Sequence, residues 1–344
     1  MDIPRRRLAS HRLTGQPYAS FQDAVRAYGA VQAQDYPAAR WAVGQRVAGA
    51  TAAAFDEVFD SGAVLRTHVL RPTWHFVLPE DIRWLLALTG PRLQRASAGR
   101  YRRLELTDRD LKRGLELFAS ALAGGRALTR PELGDVLAAG GISPAGQRLP
   151  HLLGHAEYDA LIVSGPRRGR EMTYALLDER IPGRAGAGRD PQEALADLAA
   201  RYFATHGPAT LRDFAWWSGL PLADCRRAVA AFGVELSGSD REAPAGRSAH
   251  LLPNFDEYTV AYRDRSDLFE PGIDFRPELF SFQSVLSNVL LLDGRVVGAW
   301  KRAGRRMPVG LLRPLSAKER ELTAAAAERM GAFLGGGAPV LDLP

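Results

Sequence analysis

The sequence predicts an α+β protein: three winged-helix (wHTH) units in tandem, followed by a small C-terminal β-barrel-like subdomain. Three observations lead there. A rhythm of helix, short helix, turn and helix recurs along the chain. Two copies of it are followed by β-rich runs that read as wings. After Ala249 the composition turns strand-rich. The expected boundaries are residues 1–105, 106–187, 188–248 and 249–344.

The first unit has helices in RRLASHRL, SFQDAVRAYGAV, AARWAVGQRV and FDEVFDSG, then the β-like runs VLRTHVLR and TWHFVL as its wing. Within it, GAVQAQDYPAARW sets two neutral amides, Gln32 and Gln34, on either side of Ala33. On a helix, residues i and i+2 lie about 200° apart, so the amides would diverge. In an extended segment they share a side and Ala33 turns to the core. Pro37 favours the non-helical approach, so the helix from Ser20 should end near Val31.

The second unit is the most legible. Leu111, Leu115, Phe118 and Leu122 recur at helical spacing. Thr129 reads as an N-cap with Glu132 three residues on, and the short helix ends on glycine. Ser143-Pro144 opens a third helix to about Tyr158, and ALIVSGPRRGREMTYALL is a hairpin. The stretch Pro182 to Pro191 is the clearest linker, and Ser237 to Ala249 is a second loose one. Between them EALADLAARYFATHG, ATLRDFAWWSG and LPLADCRRAVAAF form the third unit. In the last part, HLLPNFDEYTVAYRDR and NVLLLDGRVVGAWKR read as strands with a hairpin at Asp293-Gly294. LSAKERELTAAAAERMGAFL is a helix, and PVLDL a short strand.

The composition narrows the function. The net charge is +6 and all but three of the 45 basic residues are arginine. Arginine over lysine can reflect codon bias; the positive excess cannot, and it points to nucleic acid. Cys225 is the only cysteine, which excludes disulfides and cysteine-based metal sites and fits a cytosolic setting. No run of 18 apolar residues predicts a transmembrane helix, and the basic N-terminus lacks the apolar stretch of a secretory signal.

At this point the chain resembles the winged-helix DNA glycosylases of the AlkZ-like family. The motifs are VQAQD with AARW after it, RTHVLRPTWHFV, LLPNFDEYTVAYRDR and LLLDGRVVGAWKR, in the family's order over most of the chain. The family's catalytic signature is Gln, a hydrophobic or small residue, then Gln, which Gln32, Ala33 and Gln34 fit. A sister branch has an acid at the second position; this chain does not. The resemblance implies hydrolysis of the N-glycosidic bond of bulky N7-alkylated purines, sometimes crosslinked ones, by tandem winged helices bent around DNA. It also carries over Arg66, Thr67, Arg71, Thr73 and His75, as a hairpin that contacts DNA or shapes the lesion pocket; a wing packed on the core is the alternative.

The chemistry suits amides. N7 alkylation makes the purine cationic, so it departs neutral and needs no general acid. Positive charge grows on the sugar, where carbonyl dipoles can stabilise it and orient a water. No metal or cofactor is expected, and a monomer on double-stranded DNA is. A transcriptional regulator without catalytic activity is the rival reading, since winged helices often serve that role.

Other candidates divide two ways. Arg167, Arg168 and Arg170 on the middle wing read as phosphate contacts or as a solvated turn. His151 and His155 have zinc-ligand spacing but no third ligand, which favours a recognition-helix surface. Asp256 and Glu257 read as an acid–base pair or as structural anchors tied to Arg263 or Arg265. The glycines from Gly183 to Gly188 neither follow a strand nor open a phosphate loop.

Overall fold

The computed structural model describes residues 2–183, 186–233 and 245–344. Arg184 and Ala185 of the expected linker, and most of the loose stretch Ser237 to Ala249, lie outside the described residues. The chain is α+β. It begins with α1 (Ile3–Ser10), α2 (Phe21–Tyr28), β1 (Val31–Gln32), α3 (Tyr36–Gly44) and α4 (Ala52–Ser61). Next come β2 (Leu65–Val69), β3 (Thr73–Val77), α5 (Pro79–Arg103), α6 (Asp108–Leu122), β4 (Leu128–Thr129) and α7 (Arg130–Ala139). After these come α8 (Arg148–Tyr158), β5 (Ile162–Ser164), β6 (Thr173–Leu176) and α9 (Leu177–Arg180). Then follow α10 (Pro191–His206), α11 (Leu211–Ser218), α12 (Leu222–Phe232), β7 (Ala249–Leu252) and α13 (Glu257–Val260). The last elements are β8 (Val289–Leu292), β9 (Arg295–Trp300), β10 (Arg306–Leu311), α14 (Ala317–Phe333) and β11 (Val340–Asp342). They form two compact units, residues 1–56 with 196–344, and residues 57–195.

In the unit of residues 57–195, α6, α7 and α8 bury their apolar stripes together: Phe118 and Leu122, Leu133 and Leu137, Leu152 and Ala156. Thr129 caps α7 in a full capping box with Glu132, as its spacing predicts. The expected hairpin is present as antiparallel β5 and β6, with β4 on the other edge of β6. The helix expected from Ser143-Pro144 starts later, at Arg148, because Gly146 takes a positive φ of 59° and keeps SPAG a turn. β2 and β3 pair antiparallel with Thr67 opposite His75. The 25-residue α5 is the longest element without a sequence forecast. Pro91 interrupts its pattern, and its C-terminal half is largely polar.

In the other unit the strand-rich C-terminal part is an open five-stranded sheet, ordered β11-β10-β9-β8-β7. Both faces of β8 are covered. Leu290 and Leu292 join α14 and Trp41 in one cluster, while Val289 and Leu291 join Leu8 and Tyr258 in another. Alternation thus explains why this strand reads VLLL without a polar residue. The hairpin at Asp293-Gly294 joins β8 to β9, with both residues at positive φ. HLLPNFDEYTVAYRDR departs from expectation: only Ala249–Leu252 is strand, and Asp256 caps a short helical turn through the Tyr258 backbone N–H.

Candidate active site

The amide pair sits where α2 gives way to extended chain. Ser20 caps α2, and Gly29 stops it with a φ of 76° and a ψ of −44°. That leaves β1 free to run through Gln32. Ala33 is fully buried, as expected, but burial does not alternate: Val31 and Gln32 are buried too, and Gln34 is exposed. The Gln34 backbone N–H donates to the Gln32 side-chain carbonyl Oε1 at 3.0 Å. One amide therefore braces the backbone of the other. Asp35 then caps α3 by accepting from the Ala38 N–H, with Pro37 in the first turn.

Beneath β1 lies a buried polar network. Glu257, 1% exposed, accepts from the Gln32 backbone N–H at 2.6 Å through Oε1. Its Oε2 accepts from Trp217 Nε1 at 2.8 Å and lies 3.3 Å from His206 Nε2. Asp256 forms a fork with Arg46 at 2.7 and 3.0 Å. Arg46 also donates to the Tyr28 hydroxyl and the His11 carbonyl. The His11 ring lies between the Tyr28 and Tyr262 hydroxyls, at 3.0 and 2.9 Å. Burial, then the neighbouring His206, Arg46 and Arg7, hold the His11 pKa well below the usual imidazole value.

For Asp256 the anchor differs from the expected Arg263 or Arg265. Arg263 offers its backbone N–H to Asp213, and Arg265 donates to the Thr259 carbonyl. The carboxylates face inward from the start of α13, so Arg46, 210 residues away in sequence, takes Asp256. Sequence reasoning missed Arg46, His206 and Trp217; the one local signal that could have pointed to any of them is the tryptophan pair in AWW, unusual for a short helix.

The family model for AlkZ-like DNA glycosylases matches residues 25–333. The chain belongs to the AlkZ-like DNA glycosylase family. It is 26% identical, over 96% of its length and 93% of the relative's, to an interstrand DNA cross-link repair glycosylase of Streptomyces sahachiroi. It also resembles the solved Streptomyces sahachiroi DNA glycosylase AlkZ, with a TM-score of 0.77 at 21% identity, covering 100% of this chain and 98% of that one. The chain is thus a DNA glycosylase, an enzyme acting on N-glycosyl bonds.

The other candidate residues of this AlkZ-like chain lie in the unit of residues 57–195, and many are engaged within it. Arg66 lies over the Trp74 ring at 4.3 Å. Trp74 and His68 both meet the buried carboxylate of Glu157. His75 is fully buried, its Nδ1 2.9 Å from the Thr73 carbonyl, while Arg71 and Thr73 are half-buried. Arg167 is gripped by Asp60 through a fork at 3.0 and 2.7 Å, a contact to its own protein. Arg168 pairs with Glu132 at 2.7 Å, both largely exposed. Arg170 is exposed and makes no ion pair among the described residues. His151 and His155 are half-buried and pack edge-on against Tyr101, so they do not stand free on a helix surface. Burial lowers both their pKa values. No cluster of three potential metal ligands occurs among the described residues.

Proposed function

We propose that this glycosylase hydrolyses the N-glycosidic bond of N7-alkylated purines in double-stranded DNA, bulky or crosslinked ones included, with Gln32 and Gln34 as its catalytic pair. The name of the Streptomyces sahachiroi relative supports the crosslink part of this reading. The order of α6, α7, α8 and the β5–β6 hairpin supports a winged helix in the middle segment, one of three in tandem in our proposal. The enzyme would act as a cytoplasmic monomer, associated with the nucleoid when bound to DNA.

The observation that carries the proposal is the braced amide pair. The Gln34 N–H occupies one lone pair of Gln32 Oε1 at 3.0 Å, and a carbonyl oxygen has a second. Gln34 is exposed, and such a side chain can meet a base that a crosslink keeps from being fully extruded. In the reaction the C1′–N9 bond breaks and its electron pair neutralises the purine cation. A water oxygen then bonds to C1′, and its proton passes to solvent. Carbonyl oxygens orient that water and face the growing sugar charge, so no acid is required for a cationic leaving group.

The test is base release from duplex DNA carrying 7-methylguanine, read as alkali-sensitive strand breaks. Gln32→Ala and Gln34→Ala should each slow release about 10²-fold, because one preorganised dipole is worth about 3 kcal/mol. DNA affinity should change little. The double variant should lose less than the product of the two losses, since both amides serve one water and one cation. A double variant with wild-type release would remove the pair from catalysis. A wild-type protein that binds DNA but releases no N7-alkylated base would return the rival regulator reading.

A further inference from the structure

We infer that the outer face of α5, and not the third helix of the middle winged helix, is the duplex-DNA contact of the unit of residues 57–195, and that it holds backbone phosphates. The inference rests on the reading of duplex DNA as the substrate and is independent of Gln32 and Gln34.

In the winged helix proposed for this segment, α8 stands where the groove-reading helix would be. None of its residues is exposed. The β2–β3 hairpin covers one side, where His68 and Trp74 meet Glu157. α5 covers another. At Gly90 the two helices lie so close that an added Cβ would be 2.6 Å from the Tyr158 carbonyl oxygen. Tyr101 packs edge-on against His151 and His155, with ring centres 6.1 and 5.7 Å apart. The one arginine of α8, Arg148, donates to the Leu104 and Glu105 carbonyls just past α5. A helix enclosed in this way cannot enter a groove unless the unit comes apart.

α5 carries on its far side the charge that α8 lacks. From Pro91 to Arg103 it reads PRLQRASAGRYRR, five arginines and no acid. On a helix, Arg92, Arg95, Arg102 and Arg103 fall within a sector of about 100°. The buried Leu93 and Tyr101 point away from that sector. All four arginines are exposed and make no ion pair among the described residues. Only small residues, Ala96 and Gly99, lie among them. The helix dipole favours cations in the last turn, which accounts for Arg102 and Arg103. It does not account for Arg92 and Arg95, which lie about two turns or more before the end. Like charges so aligned repel one another, and a polyanion relieves the repulsion. Arg92 to Arg103 spans about 16 Å of helix axis. A duplex of that length carries about nine phosphates. Guanidinium forks match phosphate oxygens, and such contacts read no sequence, which suits an enzyme that meets its lesion in any sequence.

The test is binding to an undamaged, fluorescein-labelled duplex, followed by anisotropy over a series of salt concentrations. Arg92→Gln with Arg95→Gln removes two charges that the dipole does not explain. Lys112→Gln with Arg113→Gln removes two exposed charges from α6 and serves as the control. R92Q/R95Q should lower the slope of log K against log salt by about two units and weaken binding at least about tenfold in about 0.1 M salt, with urea stability unchanged. K112Q/R113Q should keep the wild-type slope to within about half a unit. An unchanged slope in R92Q/R95Q overturns the inference. So does an equal loss in both variants, which would assign the slope to net charge and not to a face. Normal duplex binding by R92Q/R95Q with lost binding to poly-glutamate would also overturn it, in favour of an acidic protein partner. Because the duplex is undamaged, each of these results leaves the Gln pair standing. A wild-type protein without salt-dependent duplex binding would overturn the inference together with the duplex-DNA reading.

Discussion

His250 and His11 are imidazoles that the fold holds neutral. In His250, on β7, burial comes first, followed by Arg329 and Arg46, and together they push the pKa down to about 3. His11 is driven the same way, by burial, His206, Arg46 and Arg7. In the unfolded chain both return to about 6.5. Below that value the unfolded state binds protons that the native state refuses, so each histidine contributes stability that is present above pH 6.5 and is lost as pH falls. For His250 the loss should continue to about pH 3. Each group contributes about 1.4 kcal/mol per pH unit within its window. Urea unfolding followed from pH 7.5 to 5 should show stability falling steadily, and His250→Phe should flatten part of that slope. A flat profile in the wild-type protein would contradict the buried neutral state.

At the scale of elements, Gly29 decides where α2 ends and β1 begins. Its φ of 76° with ψ of −44° suits glycine, and an added Cβ would meet Arg201 and Leu198 side chains at 3.4 Å. Gly29→Ala should therefore cost about 1–3 kcal/mol in urea unfolding and should also slow base release, since the strain falls three residues before Gln32. Wild-type stability would show that the turn is softer than its geometry. That the helix must give way before the amide pair was legible from Pro37 and the amide spacing, but the place was not: the helix expected to run to about Val31 ends at Tyr28, where Gly29 stops it. The capping box at Thr129 and the hairpin at Asp293-Gly294 were legible in place. α5 was not, since Gly90-Pro91 splits its apolar period and Arg-rich turns follow. The partners were least legible of all: Gln32 with Glu257 lies 225 residues apart, and Arg167 with Asp60 lies 107 apart. Nothing in a local pattern encodes a contact made only when distant segments pack.

Across the whole molecule, the same pairing limits what a net charge of +6 can do. Affinity for duplex DNA should fall steeply with salt, with log K changing by about −0.9 per phosphate neutralised for each decade of salt. Not every arginine contributes equally to that slope. Arg167 already satisfies Asp60, and its fork holds the carboxyl below the usual range even though partial burial pushes the other way. Arg170 is exposed, on the same turn, without an ion pair among the described residues. Arg170→Gln should therefore reduce the salt slope by about one unit and leave thermal stability unchanged. Arg167→Gln should do the opposite: the slope should persist while stability drops by about 1–2 kcal/mol, because a half-buried carboxylate loses its charged partner. Binding titrations at several salt concentrations beside urea melts separate the two. If Arg167→Gln alone flattened the slope, the Asp60 fork would open on DNA, and the arginine first read as a phosphate contact would be one.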